Sequence, residues 1–137
     1  MKKVIILIAL LLTVAIVGVG QEQEKKEAQA AAQEWLATVD NGDYAASWDS
    51  ASTPFKAAVS KADWQKALTS TRGQFGKMNS RKMKNATYTT TLPGAPDGKY
   101  VVIQYETSFA KKQSAVETIT PMLDKDGKWH VSGYYIR

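Results

Sequence analysis

The spacing of hydrophobic residues changes once along the chain, from a helical period to a strand period. Between Ala28 and Gly76 apolar side chains recur every three or four residues, as on the buried face of amphipathic helices. After Met83 apolar and polar residues alternate, which is typical of strands with one buried face. The alternating segments are Ala86–Leu92, Val101–Phe109, Ala115–Leu123 and Trp129–Tyr135. Helices followed by strands predict an α+β fold.

Residues that favour the starts and ends of helices divide the first half of the chain into four predicted helices. Asn41-Gly42 ends the first helix, and Ser60 begins the last with a capping sequence that has Asp63 in place of glutamate. Asp43 is predicted to cap a short second helix, and Thr53-Pro54 to open a third. The loops between the strands are short enough to predict an antiparallel four-stranded meander.

The last hairpin predicts which way Glu117 points. A three-residue loop, Lys125-Asp126-Gly127, with its glycine in the left-handed conformation, pairs Leu123 with Trp129. Counting back along both strands then puts Glu117 opposite Tyr135. We therefore expect Glu117 on the apolar face of the sheet.

The preceding strand connection leads to the same expectation for Glu117. A symmetrical link around Lys112 pairs Thr107 with Glu117. A buried carboxylate must be paired, hydrogen-bonded or protonated, because an isolated buried charge is unfavourable. The available guanidinium partners are Arg72 and Arg81, and the potential hydrogen-bond donors are Tyr105, Tyr135 and Thr107. Two interpretations stay open: a structural ion pair, or an acid in a ligand pocket.

The amino terminus has the layout of a signal peptide. Met1-Lys2-Lys3 precedes the apolar run Val4–Val19, and the small residues Gly18 and Gly20 favour cleavage before Gln21. The alternative is an uncleaved membrane anchor, although sixteen residues are short for a bilayer core of about 30 Å. We expect an exported protein, periplasmic or secreted, that touches the membrane only through this segment if it is not removed. The predicted organisation is a signal peptide at 1–20, a charged spacer at 21–27 and one domain at 28–137.

Composition and charge exclude several classes of function. The 137 residues include 18 Lys+Arg and 13 Asp+Glu, and the formal charge of +5 is too small to indicate a nucleic-acid-binding protein. The chain contains no cysteine, which excludes disulfides, thiol catalysis, zinc ribbons and lipoprotein acylation. His130 is the one histidine, so a multi-histidine metal site cannot form. The sequence predicts no metal, no cofactor and no nucleic-acid partner.

Several linked motifs resemble one bacterial family. The first half contributes Asp40–Trp48, Phe55, Trp64, Arg72, Gly76 and Arg81, and the second half contributes Leu92–Tyr100, Tyr105–Ala110, Glu117-Thr118, Gly127–Trp129 and Gly133–Tyr135. Together they resemble the domain of unknown function 4019 family, DUF4019. The resemblance implies a cone of the nuclear transport factor 2-like or cystatin-like kind, with helices on a curved antiparallel sheet, and an exported protein. It implies no catalytic residues.

Our leading hypothesis is a non-enzymatic module of the bacterial cell envelope that binds a small ligand or a partner protein. Its site would be the mouth of the cone, where Arg72 can receive an anionic group beside an apolar wall. The predicted lining residues are Tyr44, Trp48, Arg72, Tyr105 and Glu117. No catalytic residue is predicted under this hypothesis.

The alternative hypothesis is an enzyme that resembles ketosteroid isomerases or polyketide cyclases, with a pocket carboxylate as base. The candidate bases are Asp43 and Glu117, and the candidate hydroxyl donors are Tyr44, Tyr105 and Tyr135. Asp43 is better explained as a helix cap. Three tryptophans, Trp35, Trp48 and Trp64, are large enough to fill such a cone completely.

The opposite face of the sheet has a mixed composition that suits either solvent or a homodimer contact. Its expected residues are Val102, Gln104, Glu106, Val116, Thr118, Thr120, Met122, His130, Ser132, Tyr134 and Ile136.

Overall fold

The computed structural model describes the backbone of residues 2–137 and the side chains from Gly20 onward. It contains four helices, α1 (Lys2–Asp40), α2 (Tyr44–Asp49), α3 (Thr53–Ala58) and α4 (Lys61–Phe75), followed by four strands, β1 (Met78–Thr89), β2 (Tyr100–Phe109), β3 (Lys112–Leu123) and β4 (Trp129–Ile136). The predicted α+β class is confirmed. The prediction of a signal peptide at 1–20 concerns residues whose side chains, up to position 19, lie outside the described residues. Within the described part of the chain, no helix has both the length and the apolar character needed to cross a membrane.

The helix ends follow the residues that favour them, with two differences from prediction. The first helix stops at Asp40, and Gly42 then takes a φ of +82°, a conformation that glycine adopts without strain. Ser60 caps α4 as predicted, by accepting a hydrogen bond from the backbone N–H of Asp63. The cap of α3 is Ser52 rather than Thr53. Asp43 stands at the cap position of α2, but its side chain makes no capping hydrogen bond to any described residue.

The segment predicted as a charged spacer, residues 21–27, belongs to α1. Lys99, in the loop before β2, donates a 2.7 Å hydrogen bond to Glu24. Ala28, one turn further along the helix, is fully buried. The helix therefore contacts the rest of the domain from Glu24 onward.

The four strands form one antiparallel sheet in the order β1-β2-β3-β4, the predicted meander. Strand β1 begins at Met78, ahead of the alternating pattern that predicted it. None of its twelve residues is fully buried. A strand with no fully buried face shows no clear alternation of apolar and polar residues, so the start of β1 could not be predicted from the sequence.

An irregularity in β4 overturns the predicted partner of Glu117. Leu123 pairs with Trp129 as expected, and Gly127 has the predicted positive φ. Between the pairs Thr120↔Gly133 and Pro121↔Val131, however, β4 contains one extra residue, Ser132. This bulge shifts the later pairing by one, so that Glu117 lies opposite Ile136 and not Tyr135.

The bulge also exchanges the faces of the two adjacent tyrosines. Tyr134, predicted on the outer face, packs into the core against Trp35. Tyr135, predicted on the inner face, is 55% exposed. Successive strand residues point to opposite faces, so one added residue is enough to reverse them.

The pairing of β2 with β3 also differs by two residues from prediction. Thr107 pairs with Ala115, and Glu117 pairs with Tyr105, because the strands are joined by the two-residue turn Ala110-Lys111 and the register shifts by one more residue between Thr107 and Phe109. A shift of two preserves the face of each side chain. Glu117 is therefore completely buried on the inner face, as predicted.

The core lies between α1 and the inner face of the sheet. It is built from aliphatic residues of α1, β2, β3 and β4, including Leu36, Val39, Val101, Ile103, Ile119 and Val131. Trp35 and Trp64 close it toward α2 and α4, and their indole N–H groups donate to the carbonyl and the hydroxyl oxygen of Ser47. Aromatic rings therefore fill this part of the interior.

The two tyrosines give a direct test of the bulge. Tyr134 donates its hydroxyl to the buried Glu117 carboxylate, so Tyr134→Phe is expected to lower the free energy of unfolding by about 1.5–3 kcal/mol. The matched control, Tyr135→Phe, is expected to stay within about 0.5 kcal/mol because that ring is at the surface. Urea unfolding of both variants measures the difference. Equal effects would contradict the bulged register.

Candidate functional site

Four charged side chains meet where the carboxy-terminal ends of α1 and α4 approach the sheet. Asp40 is the last residue of α1, Arg72 lies in the last turn of α4, Arg81 lies on β1 and Glu117 lies on β3. We call these four residues the charge cluster. It contains two guanidinium groups and two carboxylates, so its formal charges balance.

Arg81 is at the centre of the charge cluster and holds both carboxylates. Its Nε and Nη2 atoms donate to Glu117 at 2.7 and 3.1 Å. Its Nη1 and Nη2 atoms donate to Asp40 at 2.7 and 3.0 Å. Burial by itself lowers the pKa of Arg81, but the hydrogen bonds and charges of Asp40 and Glu117 outweigh burial and raise it. Bidentate ion pairs of this kind fix the relative position of the two side chains as well as pairing their charges.

Glu117 uses its whole carboxylate within the fold. In addition to Arg81, it accepts hydrogen bonds from Thr107 at 2.5 Å and from Tyr134. Its side chain has no exposed surface. Burial raises the pKa of the Tyr134 hydroxyl, and the neighbouring Glu117 charge raises it further, which keeps this hydroxyl a donor. The prediction that Glu117 pairs with an arginine is confirmed, and Arg81 is that arginine.

Asp40 is the member of the charge cluster that the sequence did not single out. It accepts hydrogen bonds from Arg72 at 2.8 Å and from Arg81, and its side chain is 18% exposed. Burial raises its pKa, but the two arginines outweigh that effect and hold the pKa below its usual value. One pattern could have identified it: Asp40 follows Leu36 by four residues, so it continues the buried stripe of α1.

Arg72 is buried without full hydrogen bonding. Its Nη2 atom donates to Asp40, and its guanidinium carbon lies 5.0 Å from the centre of the Phe109 ring. Its Nε and Nη1 atoms are buried and find no hydrogen-bond partner among the described residues. The cation–π contact compensates only part of that loss.

Asp40 lines two cavities. The first, of about 350 Å³, is called the Arg72 cavity here, and its lining includes Val39, Asp40, Tyr44, Thr69, Arg72, Gly73, Gly76 and Lys77. The second, of about 320 Å³, is called the Tyr105 cavity, and it is lined by Gln33, Leu36, Ala37, Asp40, Arg81, Met83 and Tyr105. The Tyr105 hydroxyl is buried and meets no partner in the described part of the chain.

The structure therefore separates the five predicted site residues. Tyr44 and Arg72 line the Arg72 cavity, Tyr105 lines the other, and Glu117 is sealed in the charge cluster. Trp48 is placed elsewhere: its indole N–H donates to the carbonyl of Val59 at 2.8 Å, and its ring lies beneath two lysines. These five residues do not line one common cavity among those described above, because Trp48 ties α2 to the end of α3, and their part in binding a ligand stays a prediction.

The candidate catalytic groups are not arranged for the predicted proton transfer. Glu117 accepts four hydrogen bonds from protein donors, so it offers a substrate no free acceptor in this conformation. Asp43 is exposed, and Tyr135 faces outward.

The remaining polar groups of the described residues do not form a metal centre. His130 bonds through its ring nitrogens to the Asp126 carboxylate and the Ser50 carbonyl. From Gly20 to the carboxy terminus, no three His, Asp or Glu side chains are grouped so that they could hold a metal ion.

Comparison with known proteins gives one family and no function. A family model described as a protein of unknown function, DUF4019, matches residues 31–134. The match includes all four residues of the charge cluster and both cavities. No curated protein matches the chain significantly.

Proposed function

The chain belongs to the DUF4019 family, and we propose that it is a non-enzymatic, small-ligand-binding module of the bacterial cell envelope. One observation carries the proposal: Arg72 lines an open cavity while two of its three nitrogens have no hydrogen-bond partner among the described residues. A buried donor left unbonded costs about 1–3 kcal/mol. Both nitrogens are closed off from solvent, so a ligand in the cavity compensates that cost through the negative charge that it places near the guanidinium group rather than through a direct hydrogen bond.

Binding is better supported than catalysis. An isomerase-like or cyclase-like reaction needs a carboxylate that can accept a proton from a substrate. Glu117 is bound by Arg81, Thr107 and Tyr134, and a substrate would have to displace them. Among the described residues that line the Arg72 cavity, Asp40 supplies the one carboxylate, and it already accepts hydrogen bonds from two arginines.

The size of the Arg72 cavity limits the ligand. Its volume of about 350 Å³ equals that of about twelve water molecules at about 30 Å³ each. A ligand of roughly a dozen non-hydrogen atoms, or about 160 daltons, would occupy it. The envelope location rests on the signal-peptide pattern of residues 1–20.

Native mass spectrometry of protein purified from the envelope of its own host tests the proposal. We expect a chain that begins at Gln21 and has an additional mass of about 160 daltons, the size that the cavity volume allows, which is lost on denaturation. Protein refolded from denaturant and then incubated with a small-molecule extract of the same envelope should regain that mass. A bare chain before and after this incubation would contradict ligand binding. The same spectrum gives the subunit number, which tests a homodimer through the outer sheet face.

A further inference from the structure

Gly73 indicates that the Arg72 cavity is kept open. Gly73 lies inside α4, where glycine is less favourable than alanine. A Cβ atom at this position would meet no described atom within 4 Å, so packing does not exclude a larger residue. Its φ is not in the left-handed region, so the backbone does not require glycine either. The absent side chain has one visible consequence, which is free space along the cavity wall.

The charges around the cavity favour a negatively charged ligand. Arg72 and Arg81 are balanced by Asp40 and Glu117. Lys77 adds a further positive charge to the lining, and from Gly20 onward the structure gives it no ion-pair partner. The carboxy-terminal ends of α1 and α4 carry partial negative charge and act against an anion. Binding therefore depends on the two cationic side chains, Arg72 and Lys77.

The rest of the cavity lining is apolar enough for a ligand with a hydrocarbon part. Val39 and Tyr44 contribute apolar surface to the lining, and Gly73 and Gly76 contribute no side chains to it. Cavities of this kind fix a ligand through a few polar groups and gain affinity from apolar contact.

We infer that the Arg72 cavity binds an amphiphilic monocarboxylate of about eight carbons, a length that follows from the cavity volume. Its carboxylate lies beside Arg72 and Lys77, and its hydrocarbon part lies against Val39 and Tyr44. This inference rests on the proposed ligand-binding function and specifies the chemistry of the ligand.

Titration calorimetry with octanoate and with uncharged octanamide tests the inference. We expect octanoate to bind the refolded protein at least about tenfold more tightly than octanamide, since burying a paired charge discriminates strongly against a neutral analogue. Gly73→Leu should weaken octanoate binding by at least about tenfold by filling the cavity, without lowering the melting temperature. Lys77→Gln should weaken it by up to about fivefold, the upper end for a single exposed ion pair. Lys82→Gln, which removes an exposed lysine outside this cavity, is the matched control and should leave affinity unchanged.

The outcomes separate this inference from the proposed function. Equal affinity for the two ligands, both sensitive to Gly73→Leu, would overturn the carboxylate assignment and leave ligand binding standing. Octanoate binding that is insensitive to Gly73→Leu would overturn the location. If neither compound binds while the native protein has an additional mass that Gly73→Leu removes, the ligand class is wrong and the proposed function is retained. If the native protein is also bare, both are wrong.

Discussion

Replacing Arg81 with methionine is expected to lower the free energy of unfolding by about 3–5 kcal/mol. Methionine is similar in length but carries no charge, so the substitution leaves Glu117 buried without its counterion. Asp40 would keep only Arg72 as a cationic hydrogen-bond partner among the described side chains. Urea unfolding followed by tryptophan fluorescence measures the loss. For a domain whose total stability is about 5–15 kcal/mol, a change of this size makes folding marginal.

Three further variants decide whether the loss arises from the unpaired charge. Lys82→Met, at the next residue of β1, removes a positive charge at the surface and should change stability by no more than about 0.5 kcal/mol. Arg81→Lys keeps the charge without the two-pronged geometry and should be intermediate. Adding Glu117→Met to Arg81→Met should recover part of the loss, because the buried charge is then gone. A double variant less stable than either single one would argue against this explanation.

Replacing Asp40 with asparagine is expected to cost about 3 kcal/mol near pH 7, because it removes the carboxylate that Arg72 and Arg81 share. Arg72 then has no anionic partner among the described side chains. The matched control is Asp43→Asn, three residues further along. Its carboxylate is exposed and makes no capping hydrogen bond within the described chain, so we expect a change within about 0.5 kcal/mol.

The cost of Asp40→Asn should depend on pH in one direction. The folded pKa of Asp40 lies below its unfolded value, so its charge stabilises the fold fully above the unfolded pKa of about 4. That contribution is lost as the pH falls through the folded pKa. Unfolding curves of the wild type and of Asp40→Asn should therefore be furthest apart near neutral pH and converge below about pH 4. A difference that is constant from pH 7 to pH 3 would show that the carboxylate charge is not responsible.

Local pattern alone was sufficient to predict the architecture. Helix periodicity, capping residues and strand alternation each involve neighbours within a few positions, and they gave the α+β class, the element order and the meander. The inward position of Glu117 also followed, because a register error of two residues leaves each side chain on the same face. The same reasoning limited its partner to two arginines, of which the structure selects Arg81.

Which residues form the site could not be predicted, because it depends on contacts between residues that are distant in sequence. Arg81 reaches Glu117 and Asp40 across 36 and 41 residues, and Arg72 reaches Asp40 across 32. Periodicity says which face a residue occupies but not which residue of another element lies nearest. Asp40 was therefore missed, although its place on the buried stripe of α1 was visible, and the position of Trp48 away from Tyr44 and Arg72 was not foreseen.

The sequence by itself determined the fold class, the order of the elements and the burial of Glu117, because short-range periodicity encodes all three. The tertiary structure alone decided that Tyr134 rather than Tyr135 reaches Glu117. The extra residue, Ser132, moves every later side chain of β4 to the other face of the sheet, and the hydrophobic pattern of the sequence does not reveal it. It also decided that Arg72 remains incompletely bonded beside an open cavity. That outcome depends on how α1, α4 and the sheet pack together, and the proposed ligand site exists only through that packing.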